Sequence, residues 1–505
     1  MTTAPLPSHV RLLVIGAGFG GLGMAVRLQQ AGRTDFLVVD KGHEVGGTWR
    51  DNTYPGAACD VPSQLYSFSF ALNPDWSRSF SPQPEIQAYL RRVAEDAGVL
   101  DRFRFGTTVQ DARWDADAKH WRVTTTAGAV TADVLVAASG GLSEPKMPDI
   151  EGLDGFAGEV FHTARWNHDV DLTGKRVAVI GTGASAIQVI PEIASKVAHL
   201  DVYKRTAPWV IPRRDRAYTK VERTAFRLLP GLQRLHRGAI YLARELFVPA
   251  FTWKPSLAAP ARKAAMANLH KAIKDPELRE KLTPHFEIGC KRILISNDYY
   301  PALAQDHVDL VTDPIAKVSG HAVVTADGVE REVDAIIVAT GFHTTEPPIA
   351  QHVVGAVGRS LADVWAREGM QAYKGTTFHG FPNLFQIVGP NTGLGHSSMV
   401  FVIECQIAYI LDALRRMDQE RLATVQPRPD VQRHWNAALQ RRLSKTVWNT
   451  GGCASWYLDS EGRNTTLWPR TTITLKRQLA RFDVERYQTT TATEAPQPVA
   501  ERTAS

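Results

Sequence analysis

Cysteine is scarce in this chain. The 505 residues contain four, Cys59, Cys290, Cys405 and Cys453, far apart in sequence, with no CxxC pair and no metal-ligand spacing. That argues against a CxxC redox dithiol and against a cysteine-built centre, so no metal is expected, and it suits a reducing cytoplasm. Long hydrophobic runs are missing too, and no stretch is long and apolar enough to span a membrane. The opening MTTAPLPSHV lacks the basic and apolar regions of a secretory signal, which again points to a cytoplasmic protein. A strong excess of one charge is absent as well. A net charge of +6 is mild for this length, and a small anionic ligand accounts for it without nucleic acid as a partner.

What is present is room for two or three domains, with hydrophobic residues at 44% to fill their cores. The organising stretch runs from Arg11 to Asp40, RLLVIGAGFGGLGMAVRLQQAGRTDFLVVD. Leu12 to Ile15 reads as a buried parallel strand, Leu22 to Gln30 as a helix, and Phe36 to Val39 as a second strand that ends in an acid. Between strand and helix stand Gly16, Gly18 and Gly21, with Phe19 among them. Gly16 suits a tight turn, Gly18 a close approach of pyrophosphate to the backbone, and Gly21 close helix–strand packing. The helix N-terminus then faces the phosphates, and Asp40 sits where an acid accepts hydrogen bonds from a ribose. This order of parts predicts a dinucleotide-binding domain.

The next stretch, GHEVGGTWRDNTYPGAACDVPSQLYSFSF, reads as a loop rather than a helix or strand. It carries Gly47, Thr48, Trp49, Tyr54, Asp60 and Tyr66, and Trp49 and Tyr66 are candidates to pack along a flat ring system. Val109 is counted with the residues expected to line the first nucleotide. The pattern of a hairpin and a buried strand ending in Asp133 to Gly140 recurs at Asp334 to Gly341. Such a repeat implies a second copy of the domain plan. Its glycine loop is Gly181, Thr182, Gly183, Ala184, Ser185, Ala186, between an apolar run at Val177 to Ile180 and a helix that includes Gln188. The next strand, His199 to Tyr203, ends not in an acid but in Lys204, Arg205 and Thr206. A guanidinium there pairs with a 2′-phosphate that an acid would repel, which predicts NADP rather than NAD. Two such domains in one chain suggest FAD on the first loop and NADPH on the second.

Two further motifs carry a family resemblance. Phe156, Gly158, His162 and Trp166 match FxGxxxHxxxW, with Asn167 in the place usually held by Pro or Asp. Gly47, Trp49, Tyr54, Pro55, Gly56 and Asp60 match a second, longer pattern. With these motifs and the paired glycine loops, the chain resembles the type I Baeyer–Villiger monooxygenases from about Val10 to Arg486. The resemblance implies an α/β fold of two doubly wound, Rossmann-like dinucleotide-binding domains with a helical insertion. On that plan residues 1–145 and 346–488 form a discontinuous FAD domain, and residues 146–212 and 288–345 the NADP domain. Residues 213–287 are the insertion, and 489–505 are expected to be a disordered tail. The implied activity is oxygen insertion beside the carbonyl of a small hydrophobic ketone, with O2 and NADPH consumed and a C4a-peroxyflavin as oxidant. Arg292 lies over the flavin in this resemblance, with Asp60 as its partner, so both are the catalytic candidates. Lys291 lies near NADP, and Ser455, Trp456 and Tyr457 match a loop that closes over the nicotinamide. His162 is assigned a structural, domain-coupling role.

Phe381 to Ser398 has loop composition before a helix at Met399 to Leu414. The region from Asn391 to Ser397 is placed to stabilise negative charge on a reduced flavin. In the insertion Leu232, Leu235, Ala239, Leu242 and Leu246 recur at helical spacing, with Arg234, Arg237 and Arg244 between them. We read it as a helical subdomain with a solvated basic face. A membrane-surface or nucleic-acid helix is the other reading. Three alternatives share the overall plan: an N- or S-oxygenating flavin monooxygenase, a disulfide reductase, and a non-catalytic dinucleotide sensor. The missing CxxC argues against the second, and the presence of Asp60 and Arg292 against the third.

Overall fold

In the computed structural model, which describes residues 5–491, both apolar-run-plus-glycine stretches fold as parallel strand, turn and helix. The strand His9–Ile15 leads into the helix Phe19–Gln30, and Phe36–Val39 pairs in parallel beside the first strand. On its other side lies Gly128–Ala137, whose final residues also pair in parallel with Leu384–Gln386. The whole sheet has eight strands and takes in Val109–Asp115, His120–Thr125, Phe103–Arg104 and Val353–Val354. The second sheet has five strands, all parallel, in the order Val308–Val311, His199–Tyr203, Arg176–Ile180, Ala335–Val338 and Glu159–His162. Their all-apolar strands are buried on both faces, as covered parallel sheets require. The chain leaves the first unit near Pro145 and returns near Phe342, and these two passes bridge each other.

The insertion is pinned at its base by a parallel pair, Val210–Ile211 with Leu294–Ile295. Between these strands run the helices Lys220–Leu228, Pro230–Glu245, Val248–Thr252, Ala259–Ala272 and Pro276–Lys281.

Four expectations need correction. The stretch after Asp40 is not loop throughout: Thr48–Asp51 forms one helical turn, entered through Gly47 at positive φ. Phe381 to Ser398 hides the strand Leu384–Gln386, whose three residues are too few to show a period between Pro382, Asn383 and Gly389. The tail is ordered to Thr491, because Tyr487–Thr491, which ends in three β-branched threonines, pairs antiparallel with Leu422–Pro427. The rest of the expected tail lies outside the described residues. The face of Pro230–Glu245 turned to the protein is the polar one. Gln233 donates to Gln64 and Asn73, Arg237 to the Gln64 and Leu65 carbonyls, and Glu245 is buried, while Leu235, Leu242 and Leu246 face solvent.

Candidate active site

The two glycine turns are built alike. Gly16 (φ 107°) and Gly181 (φ 119°) each turn where a Cβ would lie 2.5 Å from a carbonyl oxygen, of Ala138 and of Ala339. Gly16 N–H donates to Val39 and Gly181 N–H to Tyr203, so each turn is tied to the end of its neighbouring strand. A Cβ on Gly21 would meet Gly16 O at 1.7 Å, which makes glycine obligatory there. Gly18 differs: its nearest neighbour would be Gly47 Cα at 3.6 Å, an ordinary contact. Both following helices start without a side-chain cap and without an acid in the first turn. Their first N–H groups are therefore available to an anion. Ala184 and Gly183 are exposed at the second turn, Thr182 donates to the Thr206 carbonyl, and Ala186 is buried beneath.

Asp40 is buried at the end of its strand, and its carboxylate is already engaged. It accepts from Ala17 N–H and Gly42 N–H at 2.7 Å and from Arg50 at 2.8 Å. A carboxylate has about four acceptor positions, so capacity for a ribose hydroxyl remains. Val109 lies buried at the start of its strand, among the core side chains on that face of the sheet.

The stretch after Asp40 folds over the first turn. Trp49 donates from Nε1 to Tyr66 Oη at 3.1 Å, the two rings meeting edge to face at 5.6 Å, and Tyr66 in turn packs on Phe19. A Cβ on Gly47 would lie 2.9 Å from Gly18 Cα, so the loop backbone packs directly against the turn at these two glycines. The same stretch reaches the second unit through Gln188, which accepts from Tyr54 at 2.8 Å and donates to Ala58 O at 3.0 Å.

Next to Ala58 and Cys59 stands Asp60. Arg292 Nε donates to Asp60 Oδ2 at 2.8 Å, and Nη2 lies 2.7 Å from the same oxygen. Nη1 donates to the Leu394 carbonyl at 3.3 Å, just before the helix Met399–Gln419, which Ser398 caps. The Asp60 charge raises the Arg292 pKa further above its ordinary value, against the effect of burial. Tyr457, buried and with its phenol pushed up to about 12, is within electrostatic reach of the pair, while Trp456 beside it is half-exposed. Lys291 turns the other way and donates to Thr206 Oγ1 at 2.9 Å; burial, then the charge of Arg205, lowers its pKa. Arg205 is exposed at the same rim. Lys204 is not part of it, since its ammonium donates to the Lys281 carbonyl. Asn391, at φ 56°, donates to the Asn464 and Leu467 carbonyls and keeps a buried Oδ1 without a partner.

Cys290 and Cys453 form a disulfide across 163 residues of sequence, so the cysteine pattern does not carry the reading of a reducing cytoplasm. With the bond from Glu287 N–H to Gly451 O, the disulfide laces the segment before Arg292 to the segment before Tyr457. Sequence reasoning also missed Arg244. Burial lowers its pKa, and it senses both Asp60 and Arg292. Its place one turn beyond Tyr241, on the face opposite the leucines, was the available signal.

Residues 13–228 match the family model described as pyridine nucleotide-disulphide oxidoreductase. A Baeyer-Villiger monooxygenase of Streptomyces coelicolor is 54% identical over 95% of this chain and 92% of its own length. Another of that description, from Pseudomonas aeruginosa, is 49% identical over 97% and 94%. The chain belongs to the Baeyer–Villiger monooxygenase family. Among solved structures, an oxidised steroid monooxygenase bound to NADP superposes with a TM-score of 0.85 at 31% identity, covering 96% of this chain and all of that one (100%). A cyclohexanone monooxygenase from Rhodococcus sp. Phi1 bound to NADP+ gives 0.85 at 29%, with 96% and 100% covered.

This monooxygenase is FAD-dependent and NADPH-consuming, with the two-unit α/β fold of its relatives. Its residues fit two dinucleotides. Two uncapped helix starts stand at glycine turns, and Asp40 beside the first keeps an acceptor position for a ribose hydroxyl.

Proposed function

We propose that Asp60 and Arg292 are the catalytic pair for inserting one oxygen atom beside the carbonyl of a small hydrophobic ketone, giving an ester or lactone. Bound FAD supplies the acceptor for the NADPH hydride and the activation of O2. The observation that carries the reading is the bonding of Arg292. Asp60 and Leu394 hold the guanidinium from two sides, which leaves further N–H donors on both Nη atoms.

Attack on a ketone carbonyl builds negative charge on its oxygen. A fixed guanidinium stabilises that charge, and a nearby anionic oxidant, without reorganising. Asp60 orients the guanidinium, and arginine keeps its proton throughout. The first glycine turn, Asp40, Trp49 and Tyr66 would hold FAD. The second turn, with Arg205, Thr206 and Lys291, would hold NADPH by its 2′-phosphate. Asn391 and the segment before Ser398 would face the flavin edge, and Trp456 the nicotinamide. Residues 1–145 and 346–488 would form the FAD domain and residues 146–212 and 288–345 the NADP domain, with a cytoplasmic location where NADPH is supplied.

The test is product analysis of the purified holoenzyme with NADPH and isotope-labelled O2, against cyclic, aliphatic and aromatic ketones and one sulfide. Labelled ester or lactone from a ketone is the expected result. Sulfoxide alone, with no ester from any ketone, contradicts the reading in favour of a sulfur-oxygenating enzyme.

A further inference from the structure

The insertion helix Pro230–Glu245 turns its apolar stripe away from the protein. Leu235 is 71% exposed and Leu246 80%, with Leu242 between them on the same face. This orientation is locked by the opposite, polar face. Glu245 accepts from Thr472 N–H and Oγ1 and pairs with His396, while Gln233 and Arg237 bond the loop at 64–73. Rotating the helix to hide its leucines would break each of these buried bonds. Exposed apolar side chains also flank the helix in the chain, Leu228 before it and Trp253, 81% exposed, after it.

The charge around this face has one sign. Between Lys220 and Lys274 the carboxylates are Glu222 and Glu245. Arg216 and Thr219 hold the first, and the second is buried. Lys220, Arg234 and Lys254 are exposed, and among the described residues their side chains make no ion pair.

We propose that this face docks on an anionic lipid bilayer, lying in its interface. An outward leucine stripe with a tryptophan at one end and uncompensated lysine and arginine along it has the chemistry of an interfacial helix. No helix among the described residues is long and apolar enough to cross a membrane, so the contact is with one surface. A second copy of the chain is the poorer occupant, because a two-fold contact would set each cationic face against itself. The inward face of the same helix reaches the loop at 64–73, next to Asp60, so a bilayer-dissolved ketone would be held close to the site.

The test is co-sedimentation of the holoenzyme with vesicles of phosphatidylcholine alone and of phosphatidylcholine with phosphatidylglycerol, at low and high salt. The parent should sediment with the anionic vesicles and be released by salt. The combined variant Leu235→Glu, Leu242→Glu, Leu246→Glu should lose at least about tenfold in partitioning, with its NADPH oxidation rate and melting temperature unchanged. Three results would overturn the proposal: a parent left in the supernatant with both vesicles, a triple variant that binds as the parent does, or a parent dimer that the triple variant turns into monomer.

Discussion

The phenol of Tyr54 donates to Gln188 Oε1 across 2.8 Å, and this bond joins the aromatic stretch of the first nucleotide unit to the first helix of the second. Gln188 also answers both backbone groups of Ala58, two residues from Asp60. Gln188→Ala therefore strands a buried phenol and a carbonyl. We expect a loss of about 1–3 kcal/mol in unfolding stability. A double-mutant cycle with Tyr54→Phe in urea should show a coupling well above zero. Strict additivity would mean that the bond does not join the units.

Gly18 and Gly21 should behave differently. Alanine at Gly21 collides with Gly16 O and should prevent folding of the first unit. At Gly18 it meets only an ordinary contact, at φ −76°, so Gly18→Ala should fold with a normal far-ultraviolet spectrum yet lose its flavin on gel filtration. A fully yellow Gly18→Ala protein would show that the dinucleotide does not approach this backbone.

His162 makes stability depend on pH. It lies buried on Glu159–His162, Nδ1 accepts from Ala164 N–H, and burial lowers its pKa to about 4. The neutral form belongs to the folded state, so its contribution is full above the unfolded value of about 6.5 and is lost as pH falls from there toward 4. His162→Asn keeps an acceptor for Ala164 and cannot titrate. Its melting temperature should fall less than the parent's between pH 7 and pH 5, whereas parallel curves would remove His162 from the account.

Much of this was legible before the structure. An apolar strand, spaced glycines and a second strand form one local signal, so both nucleotide units could be read from short windows. The rest depended on distant partners. Cys290 and Cys453 carry no spacing signal across 163 residues, and the strand Leu384–Gln386 is too short to show a period. The leucine repeat in Pro230–Glu245 revealed the stripe but not its direction, which Glu245, His396 and Thr472 decide through contacts 151 and 227 residues away. Asp40 read as a ribose acid; that Arg50 and two backbone N–H groups also hold it appears only in three dimensions.

Nucleotide preference should rest on the exposed rim. Arg205 stands at the strand end, and Lys291 reaches Thr206 beside it. Losing one charge-assisted phosphate contact is worth about 1.5–3 kcal/mol. Arg205→Ala should therefore lower kcat/KM for NADPH by about tenfold or more and leave NADH nearly unaffected. An unchanged NADPH-to-NADH ratio would place the 2′-phosphate elsewhere.

The central claim, that Arg292 serves oxygen insertion rather than flavin reduction, is tested by separating the two half-reactions in Arg292→Ala. Flavin reduction by NADPH is followed by stopped-flow absorbance without oxygen, and ester yield per NADPH is measured with oxygen and a ketone that the parent converts. The variant should still be reduced, should form little or no ester, and should release its NADPH consumption as hydrogen peroxide. Asp60→Ala should show a milder form of the same split, since it removes the group that orients the guanidinium. Ester formation by Arg292→Ala at near the parent rate would contradict the account.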